Sequence, residues 1–138
     1  MGTSDLLSLF GYYMGIIAFL FALFTARIDE WANEVLEFCD DWDPAQQKSN
    51  SLVKRQQDRK KKRLLNVAPL FALWAPLGLA ALFASLGGYA IYKASNGVNR
   101  IEVSLYLILP ALVLMVLHFC HGRSTIKEST HELDKLKG

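Results

Sequence analysis

Charged residues are missing from three long stretches of this 138-residue chain, at 6–26, 64–92 and 103–120. The stretches are 21, 29 and 18 residues long, and most of their side chains are apolar. A helix of about 20 apolar residues crosses the hydrocarbon core of a bilayer, and it satisfies its own backbone hydrogen bonds there. A water-soluble domain rarely contains so long a run without a charge. We therefore predict an all-α integral membrane protein with three transmembrane helices.

Cysteine is scarce, and the motifs of several protein classes are absent. Cys39 and Cys120 are too few for a disulfide framework, and we expect both on the reducing side of the membrane. The aspartates at 40–43 do not continue as a calcium-binding loop, because the required glycine and glutamate are missing. The three stretches also contain no Asp, Glu, Lys or Arg, and pumps and transporters usually carry such groups in their spans. We expect no catalytic residues, no cofactor and no nucleic-acid partner.

Basic residues are distributed unequally between the segments outside the three stretches. The connection 27–63 contains nine Lys or Arg and the segment after His121 contains four, whereas 93–102 contains two and the amino end contains none. Basic residues accumulate in cytoplasmic segments of membrane proteins. We therefore predict a single membrane domain with its amino terminus outside. The connection 27–63 and the tail 122–138 would lie in the cytoplasm, or in the matrix of a mitochondrion.

The connection 27–63 consists of two arms of opposite charge. The first arm is acidic and has apolar residues at helical spacing, so the first span should continue as a helix to about Trp42. Pro44 and a polar turn at 45–51 should then interrupt it. The second arm is basic, contains good helix formers and continues into the second span. We predict a charged cytoplasmic helical hairpin at 27–63.

Five consecutive basic residues end the second arm. They are Arg59, Lys60, Lys61, Lys62 and Arg63. In an antiparallel hairpin, Asp29 and Glu30 would lie near Lys61 and Arg63. Near an anionic membrane surface, each basic residue contributes about 1 kcal/mol. We expect the cluster mainly to orient the span, and binding to anionic lipid head groups or to a partner protein is a further role.

Small side chains line one face of the first span and one face of the second. They are Gly11, Gly15, Ala18, Ala22 and Ala26 in the first, and Ala80, Ala84 and Gly88 in the second. Such faces allow helix backbones to approach closely in lipid. We expect them to pack the three helices against each other, or to contact other protein subunits, identical or different.

Prolines and a capping motif predict local features of the later helices. Pro69, Pro76 and Pro110 each remove a backbone donor and favour a bend, and the turns before Pro69 should lie at the membrane interface. In the tail, Ser129 and Glu132 have the spacing of a capping box. This spacing predicts a short separate helix that docks on the hairpin.

His118, Cys120 and His121 form the cluster with the most metal-like character in the sequence. They offer two nitrogens and one thiol, whereas a closed zinc site uses four ligands. Haem ligation by His118 would need a second axial ligand from elsewhere. We therefore predict no metal, with His118 and His121 as the weak candidates.

Three functions are compatible with these features. We expect a non-catalytic protein that acts as a structural or accessory subunit of a membrane complex, through helix packing and the charged hairpin. A homo-oligomeric channel or pore is the first alternative, because apolar constrictions can gate without charge. A haem- or metal-binding enzyme subunit that uses His118 and His121 is the second.

Overall fold

Five helices make up the part of the chain that the computed structural model describes, residues 3–94 and 99–136. They are α1 (Thr3–Asp40), α2 (Pro44–Ser49), α3 (Ser51–Asn66), α4 (Leu70–Ala94) and α5 (Arg100–Lys135). The helices α1, α4 and α5 pack against one another in pairs, and α3 makes smaller contacts with α1 and α5. Within the described residues, the predicted all-helical fold is confirmed.

Three helical segments are long and apolar enough to cross a membrane, as predicted for a multi-pass membrane protein. Two of them are much longer than a bilayer requires. With 38 residues in α1 and 36 in α5, their lengths are about 57 and 54 Å at 1.5 Å per residue, against a hydrocarbon core of about 30 Å. Both helices therefore continue well beyond the predicted ends of their spans at 26 and 120.

The tail does not form a separate helix, so that prediction is wrong. The helix α5 continues without interruption to Lys135, and Ser129 is buried within it. The reason lies in the buried face of α5, where Gly122, Ile126, Ser129 and Leu133 follow at intervals of three or four residues. With this spacing, one face of α5 stays packed against the bundle on both sides of the capping motif. The packing therefore favours a continuous helix.

The predicted span 64–92 is not one continuous helix. The helix α3 ends at Asn66 and α4 begins at Leu70, with Pro69 between them. Proline has no backbone donor and disfavours helical geometry in the residue before it. The amide of Ala68 accordingly bonds the carbonyl of Leu65, three residues back, at 3.4 Å. The proline ends the helix here rather than bending it.

The predicted polar turn after the acidic arm is largely helical. The helix α1 ends at Asp40, slightly before the predicted Trp42, and Pro44 is the first residue of α2. The side chain of Asp43 accepts a hydrogen bond from the amide of Ala45 at 2.9 Å. Proline at the first helical position after such a cap costs nothing, because its missing N–H has no partner there. Pro44 therefore begins the helix α2 and also separates it from α1.

The other two prolines lie inside helices. Pro76 is within α4 and Pro110 within α5, and both helices continue through them. An interior proline leaves the carbonyl four residues earlier without its usual donor. For Pro76, that carbonyl belongs to Ala72.

Three groups of buried side chains follow one another along the bundle. The first consists of Ile17, Phe21, Ala80, Ala84 and Ala111, the second of Ile28, Ala72 and Leu73, and the third of Trp31, Val35, Phe38, Leu64 and Leu133. The third group joins α1, α3 and α5 beyond the predicted ends of the spans. The packed core therefore continues past the predicted membrane surface.

Two glycines sit where neighbouring helices approach most closely. A Cβ atom at Gly87 would lie 2.6 Å from Cδ2 of Leu107 and 2.7 Å from Cγ of Tyr13. A Cβ atom at Gly122 would lie 2.7 Å from Cδ1 of Leu73. Because real Cβ atoms do not come this close to other heavy atoms, a larger residue at Gly87 would have to displace the Tyr13 ring, whereas at Gly122 the flexible end of the Leu73 side chain would have to move.

Candidate functional site

The helix α1 turns its small side chains away from the bundle. All five positions of the predicted small-residue face are exposed, namely Gly11, Gly15, Ala18, Ala22 and Ala26. A Cβ atom at Gly11 or Gly15 would meet nothing within 4 Å. The bundle is contacted instead by large residues of α1, such as Ile17 and Phe21. We call these five small residues the outward face of α1.

The corresponding small residues of α4 have the opposite placement. Ala80 and Ala84 are buried against Ile17 and Phe21, and a Cβ atom at Gly88 would lie 3.2 Å from Cδ1 of Ile108. The two faces that look alike in the sequence thus have different surroundings. The face on α4 lies inside the bundle, and the face on α1 lies on its surface.

A groove of about 500 Å³ runs between α1 and α5 beside the outward face. Ala18, Ala22 and Ala26 line it from α1, and Leu114 and Leu117 line it from α5. Asp29 and His121 also line the groove. The lining of the groove is therefore mainly apolar, with the polar side chains of Asp29 and His121 in addition.

Asp29 is paired with a histidine rather than with the basic arm. Its Oδ1 lies 3.0 Å from Nε2 of His121, which joins α1 to α5. Glu30 bonds Arg27, one turn earlier on the same helix, at 3.3 Å. The predicted pairing of Asp29 and Glu30 with Lys61 and Arg63 is therefore not formed. In the described residues, no ion pair at all joins the two arms.

His118 is buried between three helices and bonds two of them. Its Nε2 lies 3.2 Å from the carbonyl oxygen of Ala72 on α4, and its Nδ1 lies 3.0 Å from Oγ1 of Thr25 on α1. A carbonyl can only accept, so Nε2 carries the proton, and in a neutral ring Nδ1 accepts from the threonine hydroxyl. The carbonyl of Ala72 is the one that Pro76 leaves without a helical donor. His118 thus replaces the hydrogen bond that Pro76 removes.

The metal candidates of the sequence lie apart from any ligand cluster. Both ring nitrogens of His118 are hydrogen-bonded, and Nε2 of His121 faces Asp29. Across residues 3–94 and 99–136, no three side chains of His, Cys, Asp or Glu come together as metal ligands would. The arrangement around His118 supports helix packing.

At the break between α3 and α4, a second carbonyl that lacks a helical donor accepts a hydrogen bond from a side chain. Nε1 of Trp31 donates to the carbonyl oxygen of Leu64 at 3.1 Å, and Leu64 lies in the last turn of α3, where carbonyls have no helical donor. Trp31 itself is buried in the third group of the core. This bond fixes the break against α1.

The five-residue basic cluster is divided between two environments. Nζ of Lys60 lies 5.7 Å from the ring centre of Phe38, and Nζ of Lys61 lies 5.9 Å from that of Trp42. Lys61 also donates to the carbonyl oxygen of Leu136 at 2.7 Å. By contrast, three residues of the cluster are exposed without such a contact, namely Arg59, Lys62 and Arg63.

Cys39 is partly buried and packs against the third group of the core, beyond the predicted first span. Burial raises the pKa of its thiol, and the carboxylates of Glu132 and Asp40 raise it further, against an opposing effect of Lys61. A raised pKa lowers the fraction of reactive thiolate. Cys39 is therefore suited to packing rather than to chemistry.

No protein-family model, curated protein or solved structure matches the chain. Sequence reasoning missed the role of His118 and that of Trp31. The first could have been found by counting four residues back from Pro76, which identifies the carbonyl that needs a donor. The partner of that carbonyl, however, lies 46 residues away along the chain, and no local pattern connects them.

Proposed function

We propose that this protein is a non-catalytic structural or accessory subunit of a membrane complex, and that the outward face of α1 packs against a transmembrane helix of another subunit. The observation that carries the proposal is the exposure of all five small residues of this face, with open space beyond Gly11 and Gly15. The bundle leaves the face uncovered.

Helix association within a bilayer depends on close packing, which small residues allow. A surface that meets only lipid has no need of them, and much of the exposed surface of the bundle carries large apolar side chains. Examples are Phe71 on α4, and Val116 and Leu117 on α5. The outward face of α1 differs from these surfaces in the way that an interface between helices does.

The shape around the outward face also suits a helix. Leu114 and Leu117 stand on one side of it, across the groove. On the other side, Phe19 and Leu23 of α1 are exposed. A helix that lies on the small residues would contact large apolar side chains on both flanks.

The inner part of α1 offers charge for the same association. Three exposed carboxylates of this part form no ion pair in the described portion of the chain, namely Glu34, Glu37 and Asp40, and neither does Asp41 directly after the helix. We propose that this part of α1 and the basic α3 are the arms of the cytoplasmic hairpin, with the amino terminus outside. The carboxylates would then meet basic groups of the partner, which accumulate on that side of membranes.

Replacing small residues of the outward face by leucine tests the proposal. The full chain with Gly15→Leu and Ala22→Leu would be extracted directly from its native membrane into lipid nanodiscs. We expect the wild-type protein in a complex of fixed stoichiometry by native mass spectrometry, and the double variant as the single chain. Gly78→Leu is the matched control, because a Cβ atom at Gly78 also meets nothing within 4 Å. This variant should stay in the complex.

The composition of the complex distinguishes the proposal from its alternative. Unlike chains in fixed ratio support an accessory subunit, whereas a closed ring of identical chains would favour the pore. A wild-type protein that is always a single chain would overturn the proposal. Equal loss of the complex in the Gly78→Leu variant would also contradict it, because the effect would then not belong to the outward face.

A further inference from the structure

We propose that one face of α3, formed by Arg59, Lys62 and Arg63, binds the phosphate groups of anionic lipid head groups at the inner membrane surface. We call these three residues the basic face of α3. The site rests on the proposed cytoplasmic placement of the hairpin, but it lies on a different helix from the outward face of α1, so loss of the proposed helix interface would leave it intact.

The three residues share one side of their helix, opposite the side that packs. They are spaced by three and four residues, which brings side chains onto one helical face. All three are exposed, whereas Leu64, on the opposite side, is buried in the third group of the core. The geometry therefore presents three positive charges together, away from the bundle.

In the part of the chain that the structure describes, these three charges take part in no ion pair. The pairs found there include Arg27–Glu30, Asp29–His121 and Glu132–Lys135, and none of these involves α3. Lys60 and Lys61, by contrast, lie over aromatic rings of α1. The structure thus divides the basic cluster into two residues that contact the protein and three that remain free to bind an external anion.

The height of the basic face matches the head-group layer. Exposed apolar side chains begin directly below it, at Val67, Leu70 and Phe71. Arg63 and Arg59 lie three and seven residues above Asn66, or about 5 and 10 Å at 1.5 Å per residue. A head-group layer is about 5–8 Å thick on each side of the hydrocarbon core, and long basic side chains reach down to it. Lipid phosphates are the anions present at that level.

The nearest acidic residues form no ion pair with the basic face in the described residues, and this includes Asp58, the residue before Arg59 on α3. Glu30 and Glu34 of α1 line a separate groove beside the break at 67–69, and neither forms an ion pair with α3. The basic face therefore keeps its positive potential, and an anionic head group gains about 1 kcal/mol from each basic residue close to the surface.

Lipid binding by charge-matched variants tests this proposal. The full chain in a neutral detergent would be titrated with phosphatidylglycerol or phosphatidylcholine, and bound lipid would be counted by native mass spectrometry. We expect wild-type protein to prefer phosphatidylglycerol, and the preference to fall with added salt. Arg59→Gln with Arg63→Gln should weaken phosphatidylglycerol binding by about fivefold per residue removed, or about 1 kcal/mol each.

The control removes the same charge from the far end of the connection. Lys48→Gln with Lys54→Gln replaces two exposed lysines and should leave the preference unchanged. Arg59→Lys with Arg63→Lys keeps the charge and should keep it too. If the glutamine double variant does not insert, Arg63→Gln alone should still lose about fivefold. Equal losses in both glutamine pairs, or no preference in the wild type, would overturn the proposal and leave the cluster a topological signal or a site for an acidic protein.

Discussion

Three polar side chains in this protein donate to helix carbonyls that have lost their usual partner. His118 donates to Ala72, Trp31 to Leu64, and Lys61 to Leu136. The first carbonyl is freed by a proline, and the other two belong to helix ends. An unsatisfied backbone group within lipid costs several kcal/mol, and in the proposed membrane protein the bond of His118 would therefore have the largest effect at the residue scale.

Replacing His118 should destabilise the bundle through the carbonyl that it leaves behind. We expect His118→Ala to lower the free energy of unfolding by about 1–3 kcal/mol, as measured by titration of mixed micelles with a denaturing detergent. His121→Ala is the control at the same residue type. Its side chain is half-exposed and paired with a half-exposed Asp29, so its loss should change stability by less than about 1 kcal/mol.

A double-mutant cycle separates this bond from simple packing. Pro76→Ala gives Ala72 a backbone donor again, so in that background His118→Ala should cost about 1 kcal/mol less than in the wild type. An identical cost in both backgrounds would show that His118 acts by filling space and not by satisfying the carbonyl.

At the scale of the helices, Gly87 is the glycine at which an added Cβ atom would lie closest to atoms of neighbouring helices. We expect Gly87→Ala to lower the free energy of unfolding by about 1–3 kcal/mol, because the new methyl group would overlap Leu107 and the root of the Tyr13 ring. The same detergent titration measures this loss.

Gly78→Ala, in the same helix, should change the free energy of unfolding in the opposite direction. Its Cβ atom meets nothing within 4 Å, and alanine is favoured over glycine in a helix by about 0.5–1 kcal/mol. The variant should therefore be neutral or more stable. If both alanines stabilise α4, the close approach of α1 and α5 at Gly87 is not rigid.

The helices show which parts of the fold the sequence could predict. The three apolar stretches were recognisable because charge is excluded from lipid over the full length of a span. The end of α3 before Pro69 and the unbroken course of α5 past Ser129 were not, because proline and capping patterns permit a bend, a stop or neither. In each case the neighbouring helices decide, through contacts such as Trp31 with Leu64 and the burial of Leu133.

The sequence could predict which small residues form the candidate site, but not whether they face the bundle or the outside. The small residues at Gly15 and at Ala80 have the same spacing pattern, yet one faces outward and the other lies in the core. Sequence alone cannot say which face of an all-apolar helix a neighbour covers, since hydrophobicity is nearly uniform around it.

For the molecule as a whole, the third group of the core should be as important to stability as the other two groups. Leu133 is fully buried with Trp31, Val35 and Phe38. We expect Leu133→Ala to lower the free energy of unfolding by about 2–5 kcal/mol, measured as above. Leu117→Ala removes the same atoms from an exposed position and should cost less than about 1 kcal/mol. A small effect at Leu133 would mean that the tail packs only loosely on α1 and α3.

The break at 67–69 divides α3 from α4, whereas α1 and α5 are continuous helices. Since α1 runs unbroken from Thr3 to Asp40, its Asp40 end must follow any change in the inclination of the helix. A tilt of about 10° would displace Asp40 by about 4 Å relative to the end of the predicted span, given 1.5 Å per residue. The end of α3 at the break is bonded to α1 through Trp31 and Leu64, so α3 would follow that displacement. A neighbour that leans on α1 would thus move the acidic and basic arms together, and the change of angle would fall at the break between α3 and α4.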